Sequence, residues 1–409
     1  MSRELNVYLC GNKTGVLREN ELMQLSFQYC SDKVQPLSVR LPARMEEYPN
    51  ALAAPFFENL TPEGEIFEIL AKAHVSGNKV YSILDRFGSD CAGAVAFYET
   101  EPNANDDTLH EIPTSKMAQI IDNLPQDPLL TSLKNPPRLS LAGAQSKFAV
   151  YKLDNRYYRS TDKYPTTHII KITNKRFPNL LENELFCMRL AQVMQLGVPD
   201  VELKSAKDRQ YIEIQRYDRK INGNGVTCGI VHRIHQEDFC QALGIVSNKK
   251  YQAGGGAGLK DCFKVIEEFS DNKLTDFTRF MEWIIFNYLI GNTDSHAKNI
   301  SLLHTNGGIK LAPFYDLLST EIYPEKIVDH GMAMLINGKG KYASLKSADF
   351  MVLFEQLGLN ATNMMKTVKS RFSGIVSKAK DLRRSLNFAD GSVCDDIIAI
   401  IKKRTNVLS

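Results

Sequence analysis

Gly291-Asn-Thr-Asp294-Ser-His296-Ala297-Lys298-Asn299 is the stretch on which the fold of this chain turns. It follows an apolar segment with helical spacing over residues 276–290 and precedes the strand-like Ile300-Ser-Leu-Leu303. An aspartate with an asparagine five residues later is what a phosphotransferase catalytic loop needs. The carboxylate orients or deprotonates the attacking hydroxyl, and the asparagine reaches a metal ion on the phosphates. Taken alone the pair is a weak signal, since chance places on the order of one Asp-x-x-x-x-Asn in a chain of this length. If nothing else followed, an Asx-type loop cap would account for it.

Seventeen residues past Asn299, after Lys310-Leu-Ala-Pro-Phe314, comes Tyr315-Asp316. An acidic residue at a strand end shortly after the catalytic loop is where kinase-like folds put a second metal-binding carboxylate. Mg2+ takes hard oxygen ligands and few protein contacts, so one Asp and one Asn suffice. Such a fold also needs a lysine on a central strand and a carboxylate on the next helix. Lys171 in the apolar run His168-Ile-Ile-Lys-Ile172 and Glu184 in the following helical pattern meet that need, although a solvent-facing strand position would also explain the lysine. Neither Gly-x-Gly-x-x-Gly nor a Walker A motif is present. Gly254-Gly-Gly-Ala-Gly258 fits neither template and reads as a flexible loop. A better phosphate-covering loop is Ser140-Leu-Ala142-Gly143-Ala144-Gln145-Ser146-Lys147, whose small residues let backbone N–H groups approach phosphate oxygens and whose lysine adds charge.

Around these motifs the chain of 409 residues has room for two or three structural units. Hydrophobic residues make up 43% and charged residues 24%, so a large core can form and extensive disorder is excluded. Fifty Lys and Arg against 47 Asp and Glu leave a formal charge of +3, too balanced to indicate nucleic acid or membrane. The eight cysteines never sit at Cys-x-x-Cys spacing, which argues for thiols in a reducing compartment. The N-terminal residues carry no signal-peptide pattern, and the apolar stretch at 283–293 is far too short to span a bilayer. A cytoplasmic protein is expected. The first hundred residues read as mixed α/β, with strands at Leu5–Cys10 and Cys91–Phe97 and an extended piece at Leu37–Leu41; polar residues 100–108 read as a linker. A strand-rich middle follows, and the pattern from about Glu237 is mostly helical. The boundaries drawn from this are 1–105, 106–235 and 236–409.

Five segments in this order resemble the HipA family, serine/threonine kinase toxins of bacterial toxin–antitoxin pairs. They are Ser140–Lys147, Asn183-Glu184, Gln236-Glu-Asp-Phe-Cys-Gln-Ala-Leu-Gly244, Asn292–Asn299 and Pro313-Phe-Tyr-Asp316. Pro36-Leu-Ser-Val-Arg-Leu-Pro42, Phe56-Phe-Glu-Asn-Leu60 and Gly88-Ser-Asp-Cys-Ala-Gly-Ala-Val95 resemble that family's first subdomain. The resemblance implies an α+β, bilobal kinase-like fold related to lipid kinases, with a small α/β subdomain in front and a mostly helical C-lobe. It implies ATP and Mg2+, with Asp294 as catalytic base and Asn299 and Asp316 as metal ligands. Lys171, supported by Glu184, would contact the phosphates, and Ala142, Gly143, Ala144, Gln145, Ser146 and Lys147 would cover them. Gln215, Arg216 and Tyr217 would form the adenine-binding hinge. His296, Ala297, Lys298 and Tyr315 would line the ATP site, and Ser140 would be autophosphorylated. It further implies a helix-turn-helix antitoxin that binds operator DNA, and a protein substrate in translation such as an aminoacyl-tRNA synthetase.

Two other functions compete: a small-molecule or lipid kinase on the same core, and a nucleotide-sensing corepressor with a vestigial site. His232 and His235, three apart, read as solvated loop histidines rather than metal ligands. The basic run Lys378, Lys380, Arg383 and Arg384 reads as a solvated helix face.

Overall fold

Leu5, Val7 and Leu9 alternate along β1 (Arg3–Leu9) and are all buried, the period of two that seats one face of a sheet. The structure is a computed structural model that describes residues 3–74, 77–102, 108–128, 130, 142, 143, 145–174, 176–222, 230–386 and 392–408. β2 (Asn12–Glu19), β3 (Leu25–Tyr29) and β4 (Val95–Tyr98) complete an antiparallel sheet in the order β3-β2-β1-β4. The helix Asn50–Glu58 lays Phe56 and Phe57 into one core with Phe27, Tyr81 and Phe97. A second sheet holds β5 (Lys147–Leu153), β6 (Arg156–Tyr158), β7 (His168–Ile172), β8 (Val201–Ala206) and β9 (Arg209–Gln215), in the order β6-β5-β7-β9-β8. Met117, Ile120 and Ile121 of the helix Thr114–Asn123 cover Phe148, Val150 and Ile170 of this sheet.

The chain forms two compact units, one of 1–172, 202–248 and 303–307, the other of 173–201, 249–302 and 308–409. The first two stretches of the sequence reading thus share a unit, and the helix Leu180–Val193 belongs with the helical end of the chain. In that second unit the helix Lys273–Ile290 packs against Leu259–Phe269 and Val393–Leu408, and buries Trp283, Phe286 and Leu289.

The first unit corrects three expectations, each for a long-range reason. Leu37–Leu41 is a turn rather than an extended piece, closed by the Leu41 N–H donating to the Ser38 carbonyl at 3.0 Å. The Glu237 carboxylate holds it, accepting from Ser38 Oγ at 2.5 Å and from the Val39 N–H at 2.9 Å. Of 91–97, only Val95 onward joins a sheet. His235 is 1% exposed and no loop residue: it lies in the strand His235–Asp238, with Nε2 bonded to the Leu37 carbonyl at 2.7 Å. His232 is exposed, and the described residues contain no cluster of three or more His, Cys, Asp or Glu that could hold a metal.

Burial, aided by His304 and Arg233, pushes the His235 imidazole down to about 3, and burial pushes His168 down to about 4, from an ordinary 6.5. Both are neutral in the folded chain, so their contribution is complete above 6.5 and is lost as pH falls from there towards the folded values. Acidification from about pH 7.5 to about pH 5 is therefore expected to lower the unfolding midpoint steeply, by on the order of a few kcal/mol of stability. His235→Gln should flatten that profile, leaving the His168 part; thermal melts across the range check it, and parallel profiles would refute the assignment.

Candidate active site

The quoted nonapeptide begins where an 18-residue helix must stop. Lys273–Ile290 ends at Gly291, whose φ of 79° is left-handed and whose N–H donates back to the Asn287 carbonyl at 3.1 Å. A Cβ there would also lie 3.1 Å from Ser319 Oγ and 3.2 Å from Arg404 Nη1, a tight fit against two side-chain ends, so the left-handed backbone is the main reason for glycine. Asn292 comes next and is 2% exposed. Its Nδ2 donates to Asn287 Oδ1 at 2.7 Å and to the Asp316 carbonyl at 3.4 Å, while its Oδ1 accepts from the Asp294 N–H at 3.2 Å. One buried amide thus ties the backbones of both candidate aspartates.

Asn299 donates from Nδ2 to the Asp294 carbonyl at 2.9 Å, which turns its Oδ1 the other way, as an acceptor for a cation. Asp316 sits at φ 53°, a left-handed conformation that aspartate tolerates but that costs free energy, as functional positions often do. The approach to Asp316 is held from the same helix. Arg279 donates to the carbonyls of Leu311 and Ala312, both at 2.8 Å, and Asp276 accepts from the Leu311 N–H at 2.8 Å. The Asp294 side chain is 46% exposed, and its Oδ1 accepts a hydrogen bond from the Tyr251 hydroxyl at 2.7 Å. Asn299 and Asp316 are half-buried. An amide oxygen and a carboxylate form a hard, all-oxygen donor pair, which fits Mg2+.

Tyr315 braces this arrangement: its hydroxyl donates to the Lys298 carbonyl at 2.9 Å and lies 2.7 Å from Ser301 Oγ. His296, Ala297 and Lys298 are 3%, 0% and 6% exposed, inside the loop rather than on its rim. Residues that sequence reasoning missed support the loop from behind. Tyr342 donates to the Asn292 carbonyl at 2.8 Å, and Arg404 of the last helix lies over the Tyr342 ring at 4.7 Å and pairs with Glu321. Helical patterning alone could not show that residue 404 faces residue 292.

The remaining predicted residues divide between the units. In the first unit, Lys171 lies on β7, 4% exposed, between Lys147 of β5 and Ile212 of β9. Gly143, at φ 100°, bridges to Pro62 and accepts from the Glu63 N–H at 3.3 Å; Ala142, Gln145, Ser146 and Lys147 flank it half-buried. Ser140 and Ala144 lie outside the described residues. Glu184 belongs to the second unit and is fully buried on Leu180–Val193. Gln215 ends β9, and the Tyr217 hydroxyl donates to Gln236 Oε1.

The Arg216 side chain is turned into the core. Its guanidinium, 3% exposed, pairs with Asp218 at 2.8 Å and Asp90 at 3.5 Å, and its N–H donates to the Thr167 carbonyl at 2.9 Å. Arg216 is a core residue that fixes the segment following β9.

Comparison with known proteins identifies the family. The model of the HipA N-terminal domain matches residues 5–98, and that of the HipA-like C-terminal domain matches residues 139–380. A Sinorhizobium fredii protein named "Putative kinase Y4mE" is 36% identical over 95% of this chain and 96% of its own length. The serine/threonine-protein kinase toxin HipA of Shewanella oneidensis is 29% identical, over 79% of this chain and 75% of its own. A solved structure of Shewanella oneidensis HipA with HipB and operator DNA superimposes with a TM-score of 0.81 at 25% identity, covering 99% of this chain and 95% of that one. With a kinase-like α+β fold, both family domains and a full-length kinase-named relative, this chain belongs to the HipA family of kinases.

Proposed function

We propose that this chain is an ATP-dependent serine/threonine protein kinase, the toxin of a type II toxin–antitoxin pair. The observation that carries the reading is the Asn292 amide tied to the backbones of Asp294 and Asp316, with Asn299 turned by its bond to Asp294. Asp294 accepts the proton of the attacking serine or threonine hydroxyl or aligns its lone pair. Asn299 and Asp316 would hold Mg2+, which when bound neutralises charge on the ATP phosphates. Lys171 supplies a further cation to the phosphates, with Glu184 as its supporting carboxylate. The loop containing Ala142, Gly143, Ala144, Gln145, Ser146 and Lys147 covers them, and the Gln215–Tyr217 backbone takes the adenine. His296, Ala297 and Lys298 hold the loop that presents Asp294, and Tyr315 braces it.

The HipA–HipB–operator complex of the Shewanella relative supports a HipB-like antitoxin and operator DNA as partners; we take that antitoxin to be a helix-turn-helix protein through which the DNA is mainly reached. A cytoplasmic substrate in translation, such as an aminoacyl-tRNA synthetase, completes the proposal; among the described residues no helix is long and apolar enough to cross a membrane. The test is incubation with Mg-ATP followed by mass spectrometry of this chain and of added bacterial extract. Phosphoserine or phosphothreonine on protein is expected; phosphate only on lipid or metabolite would overturn it in favour of a small-molecule kinase.

Ser140 carries the regulatory half. A phosphoserine of charge near about −2 beside the nucleotide phosphates repels them. Phosphorylated chain is therefore expected to bind Mg-ATP at least about tenfold more weakly than unmodified Asp294→Asn protein, by calorimetric titration. Equal affinities would return Ser140 to an ordinary serine.

A further inference from the structure

The glycine run 254–258, read from sequence as a flexible loop, is a fixed turn built around one tyrosine. The N–H groups of Gly254 and Gly256 both donate to the Tyr251 carbonyl, at 2.9 and 3.0 Å. Gly256 presses so close that a Cβ would lie 2.1 Å from the Lys249 carbonyl oxygen and 2.8 Å from that of Tyr251. Gln252 pins the next residue: its N–H donates to the Ala333 carbonyl at 2.9 Å, and its Oε1 accepts from the Leu335 N–H at 2.7 Å.

What this turn presents is a phenol on the candidate catalytic base. The Tyr251 hydroxyl donates to Asp294 Oδ1 at 2.7 Å, and its ring stands edge-on to His296 at 5.5 Å. The tyrosine is nevertheless 41% exposed, so burial does not hold the hydroxyl there. A hydroxyl donating to this carboxylate is also what an acceptor must supply before phosphoryl transfer.

We propose that Tyr251 is a specificity-determining residue that reserves Asp294 for a protein hydroxyl and denies it to water. The inference rests on the reading of Asp294 as the acceptor-facing base. Water offers Asp294 Oδ1 one hydrogen bond, no better than the phenol already there, and so does not displace it from the oxygen assigned here to the acceptor. A substrate segment adds contacts of its own and moves the phenol aside. Without the phenol, water would occupy Asp294 and attack. Its oxygen would form the new bond to the γ-phosphorus, the bond to the ADP oxygen would break, and its proton would pass through Asp294 to solvent, leaving ADP and phosphate.

The experiment measures ADP release from Mg-ATP by the full chain, with water as the only added acceptor. Tyr251→Phe, which keeps the ring against His296, should raise hydrolysis about two- to tenfold, the effect of one net hydrogen bond. Mg-ATP affinity by calorimetry should not change. The increase should vanish in the Tyr251→Phe, Asp294→Asn double variant. Unchanged or slower hydrolysis in Tyr251→Phe, with Asp294→Asn still abolishing transfer, would overturn the gate and leave the function standing. Phosphotyrosine at position 251 of the unaltered chain would overturn it too, by making the tyrosine an acceptor. Full transfer in Asp294→Asn alone would remove the underlying reading and the gate with it.

Discussion

Asp294→Asn is expected to cut phosphoryl transfer by on the order of 10²–10⁴-fold while leaving the fold intact. The substitution is isosteric, and the side chain is 46% exposed, so little packing is lost. The bonds that shape the loop use the Asp294 backbone: its N–H to Asn292 Oδ1 and its carbonyl from Asn299 Nδ2. They survive the change, and what disappears is the anionic oxygen that aligns the acceptor. Asp316→Asn should have an effect at least as large by weakening the cation site. Asparagine tolerates the left-handed backbone at this position as aspartate does, so the φ of 53° adds no new strain. Transfer from γ-labelled ATP, with thermal melts as the folding control, measures both. Mg-ATP affinity separates them: it should persist in the Asp294 variant and fall in the Asp316 variant. Near-normal transfer in either one would break the assignment.

The candidate catalytic loop was legible because its residues are local in sequence. Asp294 and Asn299 lie five apart on one loop, and the helix before them announces its end with Gly291. β7 is legible for a similar reason, as a short apolar run whose bounds His168–Ile172 are those the residues suggest. What could not be read depends on partners far along the chain. Nothing around Leu37 says that Glu237 will close it into a turn, and nothing around His235 says that the Leu37 carbonyl awaits it in the core. Asn292 stood within the quoted motif, yet its role needs residues 287, 294 and 316 together. Gly256 looks like looseness in sequence, whereas contact with the Lys249 carbonyl makes it the tightest point of its turn. The unit boundary was illegible in principle, because 202–248 returns to the first unit after 173–201 has left it.

Asp90→Asn is expected to remove about 3–5 kcal/mol of stability near neutral pH, the cost of breaking a buried ion cluster from one side. Asp90 accepts from Arg219 at 2.7 Å, from Arg216 at 3.5 Å and from the Thr166 N–H at 2.7 Å. Asp218 pairs with the same two arginines at 2.8 and 2.9 Å and accepts from the Gly93 N–H at 2.7 Å. All four residues are buried: Asp90, Arg216, Asp218 and Arg219 are 4%, 3%, 3% and 5% exposed, so water cannot replace a lost carboxylate. Burial by itself would raise the Asp90 carboxyl, but Arg219, Arg216 and Arg233 override it and hold it far below its ordinary 3.8; the arginines likewise bring Asp218 to about 2. A carboxylate with a depressed value stabilises the fold above its unfolded value and stops doing so as pH falls through the folded one. The deficit of the variant should therefore be constant between about pH 5 and about pH 8 and should shrink only below about pH 4, where the unaltered chain loses the same contribution. That window separates this cluster from the histidines, whose effect begins near 6.5. If the Gln215–Tyr217 backbone takes the adenine as proposed, Mg-ATP affinity of the still-folded variant should fall as well. Urea titrations at several pH values read the stability, and a deficit that instead grew on acidification would show that Asp90 is not the ionised partner of these arginines.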